Sequence, residues 1–243
     1  LIQKWIGDTE PTEHPEYSQL TGENGTIHLA ISVDNKPILY QNAGGYTGLE
    51  MDLLTLFAKE AGYAFDIEVV PFESIIAGIS SGKYDMGAST LNITPEREES
   101  VDFSDPYAAF DVVMVIKNTD GQKAGMTLAD FKNATIGVLT GSSYDALIKA
   151  QFPDAERKYY SLMTDLVLAV EQGKIDGYIS EKPYSTAAIW EGARIAVVDE
   201  PLNVTDVGFI FQKDSELPLC EQMSTFIRNA KESGLLNELN EKW

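Results

Sequence analysis

Apolar positions along this chain fall into short runs whose period switches between two residues and about 3.6. Residues 26–33 alternate Thr-Ile-His-Leu-Ala-Ile-Ser-Val, which predicts a half-buried strand. Leu49, Leu53, Leu54, Phe57 and Ala61 then recur at helical spacing, and Gly62 follows where a helix would stop. A strand is predicted at 64–71, a short helix at 74–81 closed by Gly82, and a strand at 86–88. Such a β-α-β-α-β run reads as an α/β sheet with helices on its faces.

The pattern restarts after the apolar run 112–116. A helix at 128–132 leads to a strand at 135–139. A helix from Ser143, a strand at 158–160 and a helix at 162–172 ended by Gly173 come next. A strand at 176–180 leads into a helix opening near Pro183, where proline suits a first turn. Strands are expected at 195–198 and 207–211, and two closing helices break at Gly234. The chain therefore reads as two similar α/β units. Residues 6–25 are polar and turn-rich and read as a linker. Leu1-x-x-Lys4-Trp5 matches Leu239-x-x-Lys242-Trp243. A chance match accounts for so few residues; so does the tail of a preceding copy of the same domain, making this one unit of a tandem array.

Length and composition narrow the picture. The 243 residues suit one large domain or two small lobes. With 38 Asp+Glu against 18 Lys+Arg, the net charge is −20, which argues against nucleic acid and against an anionic lipid surface as partners. An apolar fraction of 44% is that of a folded domain. The longest apolar stretches, such as 112–116, are far too short to span a bilayer. The chain opens on Leu1 without a signal-peptide pattern, as a processed or excised product would. A lone cysteine, Cys220, cannot form an internal disulfide.

Several chemistries lack material. His14 and His28 are the only histidines, too few for His-rich metal sites or a Ser-His-Asp triad. Gly141-Ser-Ser143 lacks the flanks of a nucleophile elbow. Ser81-Gly-Lys83 is not a phosphate loop, since Ala77 stands where its first glycine belongs. No metal and no cofactor is expected.

The stretch from Asp85 to Arg97, Asp-Met-Gly-Ala-Ser-Thr-Leu-Asn-Ile-Thr-Pro-Glu-Arg, carries the most chemistry. It leaves a strand, passes through small polar residues and reaches Thr94-Pro-Glu-Arg97, a helix start capped by Thr94. Arginine beside such a start can grip a carboxylate. Taken alone, Arg97 is explained more simply by pairing with Glu98, Glu99 or Asp102 on a solvated face.

Together with Phe72-x-x-Ile-Ile, Gly82-Lys-x-Asp85 and Val101-Asp-Phe-Ser-x-Pro-Tyr107, this string resembles the bacterial family 3 extracellular solute-binding proteins, periplasmic-type receptors for polar amino acids. The resemblance continues through Pro37, Gly48-Leu-Glu-Met-Asp52, Gly137-Val-x-x-Gly141-Ser-Ser143, Asp176-Gly-Tyr-x-x-Glu181-x-Pro183, Gly208-x-x-x-x-Lys213 and Gly234 to Trp243. It implies a type II periplasmic-binding-protein fold: two α/β lobes joined by two hinge crossovers, closing like a flytrap. Lobe 1 would hold 26–110 plus 208–243, and lobe 2 would hold 113–205. Carried over, Arg97 clamps the ligand α-carboxylate, assisted by backbone groups of Thr90 and Asn92 and by the Ser143 hydroxyl across the cleft. Phe72 stacks on the ligand and Glu181 receives its ammonium group. Without the family, Ser143 reads as a helix cap, Phe72 reads equally well as plain core, and a solvated loop acid is an alternative for Glu181.

Some positions depart from the family pattern. Asn92 stands where Ser or Thr is usual, and Glu181 where Asp is common. Ser32 occupies the place of the acid that receptors for basic amino acids carry, which argues against arginine or lysine. Asn35 replaces a frequent aromatic and Ile38 a phenylalanine, leaving room for a polar ligand side chain. The implied function is non-enzymatic: an extracytoplasmic receptor delivering an amino acid to an ABC permease, which a tandem protein would carry fused in the same chain. The membrane is then met only through that partner. The same lobes also serve as sensors of membrane kinases or cyclases, and a dehydratase branch acts on cyclohexadienyl acids.

Overall fold

The structure is a computed structural model that describes residues 16–118, 126–215 and 217–243; the Leu1–Trp5 repeat and His14 lie outside them. The chain forms two compact units. One contains the described residues up to Ala108 together with Asp206–Trp243, and the other is Ala109–Thr205. No helix of the described residues is long and apolar enough to cross a membrane.

The first unit opens with β1 (Thr26–Ile31), then a three-stranded antiparallel sheet of β2 (Asp34–Asn35), β3 (Leu39–Asn42) and β4 (Gly45–Thr47). Next come α1 (Leu49–Ala61), β5 (Ala64–Val69), α2 (Phe72–Ser80), β6 (Met86–Asn92), α3 (Pro95–Glu98) and β7 (Val101–Phe103). The chain then leaves through β8 (Ala108–Lys117). It returns within β13 (Asn203–Gln212) and closes with α7 (Leu219–Ser233) and α8 (Leu235–Lys242). β5, β1 and β6 are parallel neighbours, and β13 runs antiparallel beside β6 with β7 on its far side. The last three residues of β1 and all seven of β6 are buried, as expected where helices cover both faces of a parallel sheet.

The second unit contains β9 (Thr135–Leu139), α4 (Tyr144–Gln151), β10 (Glu156–Tyr160), α5 (Met163–Glu171), β11 (Gly177–Glu181), α6 (Lys182–Trp190) and β12 (Ile195–Val197). β9 lies parallel between β10 and β11, while β8 runs antiparallel to both β11 and β12. Its core gathers Val112, Met114, Phe131, Ile136, Val138, Ile148 and Ile179.

The α/β alternation matches the periodicity, with instructive differences. α2 begins at Phe72, two residues before the predicted start, because Pro71 serves as its N-cap residue. The helix expected at 128–132 is a 3-10 turn over Leu128–Phe131, held by a Thr127–Asp130 capping box. The hairpins of β2, β3 and β4 escaped the periodicity because two- to four-residue strands cannot display it. β6 runs to Asn92, four residues past the expected end, since its Ser-Thr content reads as loop. Residues 16–25 belong to the first unit and are tied into it: the Tyr17 hydroxyl accepts a hydrogen bond from Tyr46 N at 3.1 Å, and Asn24 N donates to Gly62 O at 2.8 Å.

The C-terminal residues are clamped. Asp52, buried in the first turn of α1, accepts from Lys242 Nζ at 2.8 Å and from Trp243 Nε1 at 2.7 Å through one carboxylate oxygen. The Trp243 ring meets Tyr40 edge-on at 6.1 Å. A carboxylate at a helix N-terminus is stabilised by the backbone dipoles, and the two donors complete its hydrogen bonding. Trp243→Ala removes a buried aromatic and one of the two donors to the Asp52 carboxylate oxygen; a loss of about 3 kcal/mol in unfolding free energy is expected by denaturant titration. An unchanged midpoint would show that α8 does not need its clamp.

Candidate functional site

The first half-site is made by an irregularity in β6. Ala88, Ser89 and Thr90 lie between the pairs Gly87–Ile210 and Leu91–Gly208, so three residues oppose the single Phe209 of β13. Ser89 has φ 155° and Thr90 φ 50°, values L-residues seldom adopt without compensation. The compensation is Glu50. Its buried Oε1 accepts the Thr90 backbone N–H at 2.8 Å and the Tyr107 hydroxyl at 2.7 Å. Glu50 is brought there by Gly48, at φ 116°, where a Cβ would sit 2.3 Å from Ile38 O. That close approach lets Glu50 N bond Ile38 O at 2.9 Å as α1 begins.

Beyond the kink, Thr94 caps α3 as expected, its hydroxyl accepting from Arg97 N at 3.3 Å. Arg97 is only 7% exposed, so the account placing it on a solvated face fails. Its Nη1 donates to Asn92 O at 3.0 Å, and its guanidinium carbon stands 5.9 Å from the centre of the Phe72 ring. The structure thus brings Phe72, Thr90, Asn92 and Arg97 into one neighbourhood. The Thr90 N–H is spent on Glu50 and the Asn92 carbonyl on Arg97, so these two groups hold the backbone in shape. Ser32 and Asn35 join through Ser89: Asn35 Nδ2 donates to Ser89 Oγ at 2.9 Å, and Ser89 Oγ donates to the Ser32 carbonyl at 3.2 Å.

The second unit contributes Ser143 and Glu181. Ser143 occupies the N-cap position of α4, yet its side chain makes no cap bond, so capping does not account for it. Glu181 ends β11 and stands at the N-cap of α6, with Pro183 in the first turn. It is 5% exposed, which rules out a solvated loop acid. Ser142 Oγ, beside Ser143, is buried with no hydrogen-bond partner among the described residues.

Sequence reasoning missed Glu50, Ser89 and Tyr107. Glu50 left a usable signal: it and Asp52 are two acids among the apolar residues that open α1. Ser89 left none, because a positive φ at serine is invisible in composition. No group of three or more His, Cys, Asp or Glu among the described residues could hold a metal.

Removing the Glu50 carboxylate strands a buried backbone N–H and a buried phenol. Glu50→Ala is therefore expected to cost about 2–4 kcal/mol of stability in urea unfolding, with Glu50→Gln, which keeps one acceptor, costing less. Equal losses for the two variants would mean that volume, not hydrogen bonding, holds the kink.

Known proteins share this architecture. The arginine-binding extracellular protein ArtP of Bacillus subtilis is 27% identical over 220 residues, covering 88% of this chain and 84% of that protein. A solved substrate-binding protein of an amino acid ABC transporter is 26% identical with a TM-score of 0.82, covering 90% of this chain and 99% of that one. The ancestral amino acid-binding protein AncCDT-1, a precursor of cyclohexadienyl dehydratase, is 26% identical with a TM-score of 0.81, covering 94% and 99%. The fold is the two-lobe type II fold of periplasmic amino-acid-binding proteins. The family model for bacterial extracellular solute-binding proteins, family 3, matches residues 27–243, and the chain belongs to that family.

Proposed function

We propose that this protein is an extracytoplasmic receptor that binds a polar amino acid as its zwitterion and delivers it to an ABC importer. The observation carrying the reading is Arg97: a buried guanidinium, positioned by a helix start and a strained strand, facing an aromatic ring. A guanidinium beside a helix start has the fork geometry that grips a carboxylate with two parallel hydrogen bonds. Arg97 takes the α-carboxylate, and Phe72 packs against the ligand body. The kinked segment from Thr90 to Asn92 shapes the site. From the second unit, Glu181 receives the ammonium group and Ser143 adds a hydroxyl. A ligand favours whichever conformation binds it better, and that shift is the signal an importer reads. Family membership and the amino-acid-binding relatives support the same reading, and a receptor needs no catalytic step from Glu181.

Because a ligand that binds only the folded state raises its melting temperature, a thermal-shift screen of the twenty amino acids is expected to yield a stabilising subset. Arg97→Ala should erase those shifts and reduce calorimetric binding below detection; retained affinity would move the carboxylate site elsewhere. Glu181→Gln is expected to weaken binding by about 2–5 kcal/mol while leaving the fold intact. Unaltered affinity in that variant would take the ammonium site away from Glu181.

A further inference from the structure

We infer that the ligand carries an uncharged side chain ending in a carboxamide, read by Ser32 and Asn35. The inference rests on the amino-acid reading above. Ser32 is 8% exposed, Asn35 5% and Ser89 1%. Ser89 has one proton, given to the Ser32 carbonyl, so its oxygen must accept from Asn35. That fixes the Asn35 amide: Nδ2 points to Ser89, and Oδ1 is turned away from it. Among the described residues, neither Asn35 Oδ1 nor Ser32 Oγ has a hydrogen-bond partner, and neither is among the buried polar atoms sealed from the surface. Two polar groups, each on a residue more than nine-tenths buried, thus have no protein partner among the described residues: the Asn35 amide is oriented by Ser89, and the Ser32 hydroxyl sits on a residue whose carbonyl Ser89 holds. Both are tied to Ser89, three residues along β6 from the Asn92 carbonyl that Arg97 holds.

The chemistry of the pair selects a ligand class. Asn35 Oδ1 only accepts, whereas a serine hydroxyl donates or accepts. A carboxamide satisfies both, its NH₂ on Asn35 and its carbonyl on Ser32. A side-chain carboxylate would face the lone pairs of Asn35 Oδ1. A guanidinium or ammonium would be desolvated against Ser32 and Asn35, neither of which is an acid; Asp52 is paired with Lys242 and Trp243, and Glu50 Oε1 accepts from Thr90 and Tyr107. Asp34 lies on the opposite face of β2 from Asn35 by strand alternation. An aliphatic side chain would leave both groups unpaired, the situation in which polar sites discriminate most strongly.

The test is calorimetric titration of the intact protein with glutamine, asparagine, norvaline, glutamate, arginine and lysine, after the full amino-acid screen. Glutamine or asparagine should bind tightest, with glutamine at least a hundredfold tighter than norvaline, which has a similar chain without the amide. In Asn35→Leu that ratio should collapse to within about tenfold, and Ser32→Ala, a smaller perturbation to folding, should lower it as well. Tightest binding by any amino acid lacking a carboxamide, or a ratio unchanged in both variants, overturns this inference and leaves the amino-acid reading standing. Binding of none of the twenty overturns that reading, and this inference with it.

Discussion

The first unit depends on one buried carboxylate. Glu50 accepts the N–H of Thr90 and the hydroxyl of Tyr107, and so stabilises a strand that has abandoned its regular ladder. A positive φ at serine and threonine is retained only where surrounding contacts over-determine it. The kink then ends in Asn92, whose carbonyl holds Arg97, while Ser89 at its centre ties Ser32 to Asn35. A structural acid in α1 thus braces the kink from which the bonds to Arg97, Ser32 and Asn35 are made.

The arrangement also explains why global charge says little about the ligand. The chain carries 20 more acidic than basic residues, yet the two buried acids of the first unit's α1 accept hydrogen bonds from within the protein, and the buried residue beside the kinked strand, Arg97, is cationic. Surface charge governs long-range encounter and solubility, whereas a desolvated pocket responds to the few groups inside it.

Sequence exposed the architecture because α1, α2, α5 and the core strands are long enough to show a period, and because glycines such as Gly62 and Gly234 end helices in the left-handed conformation. Thr94-Pro-Glu-Arg97 announced its helix start through capping chemistry alone. What stayed hidden had no local signature. Ser89 and Thr90 look like loop residues, and their role arises from a register shift against β13, more than a hundred residues away. The burial of Arg97 and Glu181 is likewise a tertiary fact: on sequence alone, Arg97 reads more simply as a surface charge, and a solvated loop acid stays open for Glu181.

The first unit is discontinuous: its β1, β5 and β6 precede the second unit, and β13, α7 and α8 follow it. The second unit is one uninterrupted stretch whose contacts close over short loops, so it can gather its core while the first still lacks a strand. In a chain made from its N-terminus, β6 gains its β13 partner late, and Asp52 gains Lys242 and Trp243 later still. Arg97 is synthesised early but acquires its finished surroundings near the end of assembly. The surroundings of Arg97 therefore report on completed assembly: they are finished only when the last segment of the chain has docked.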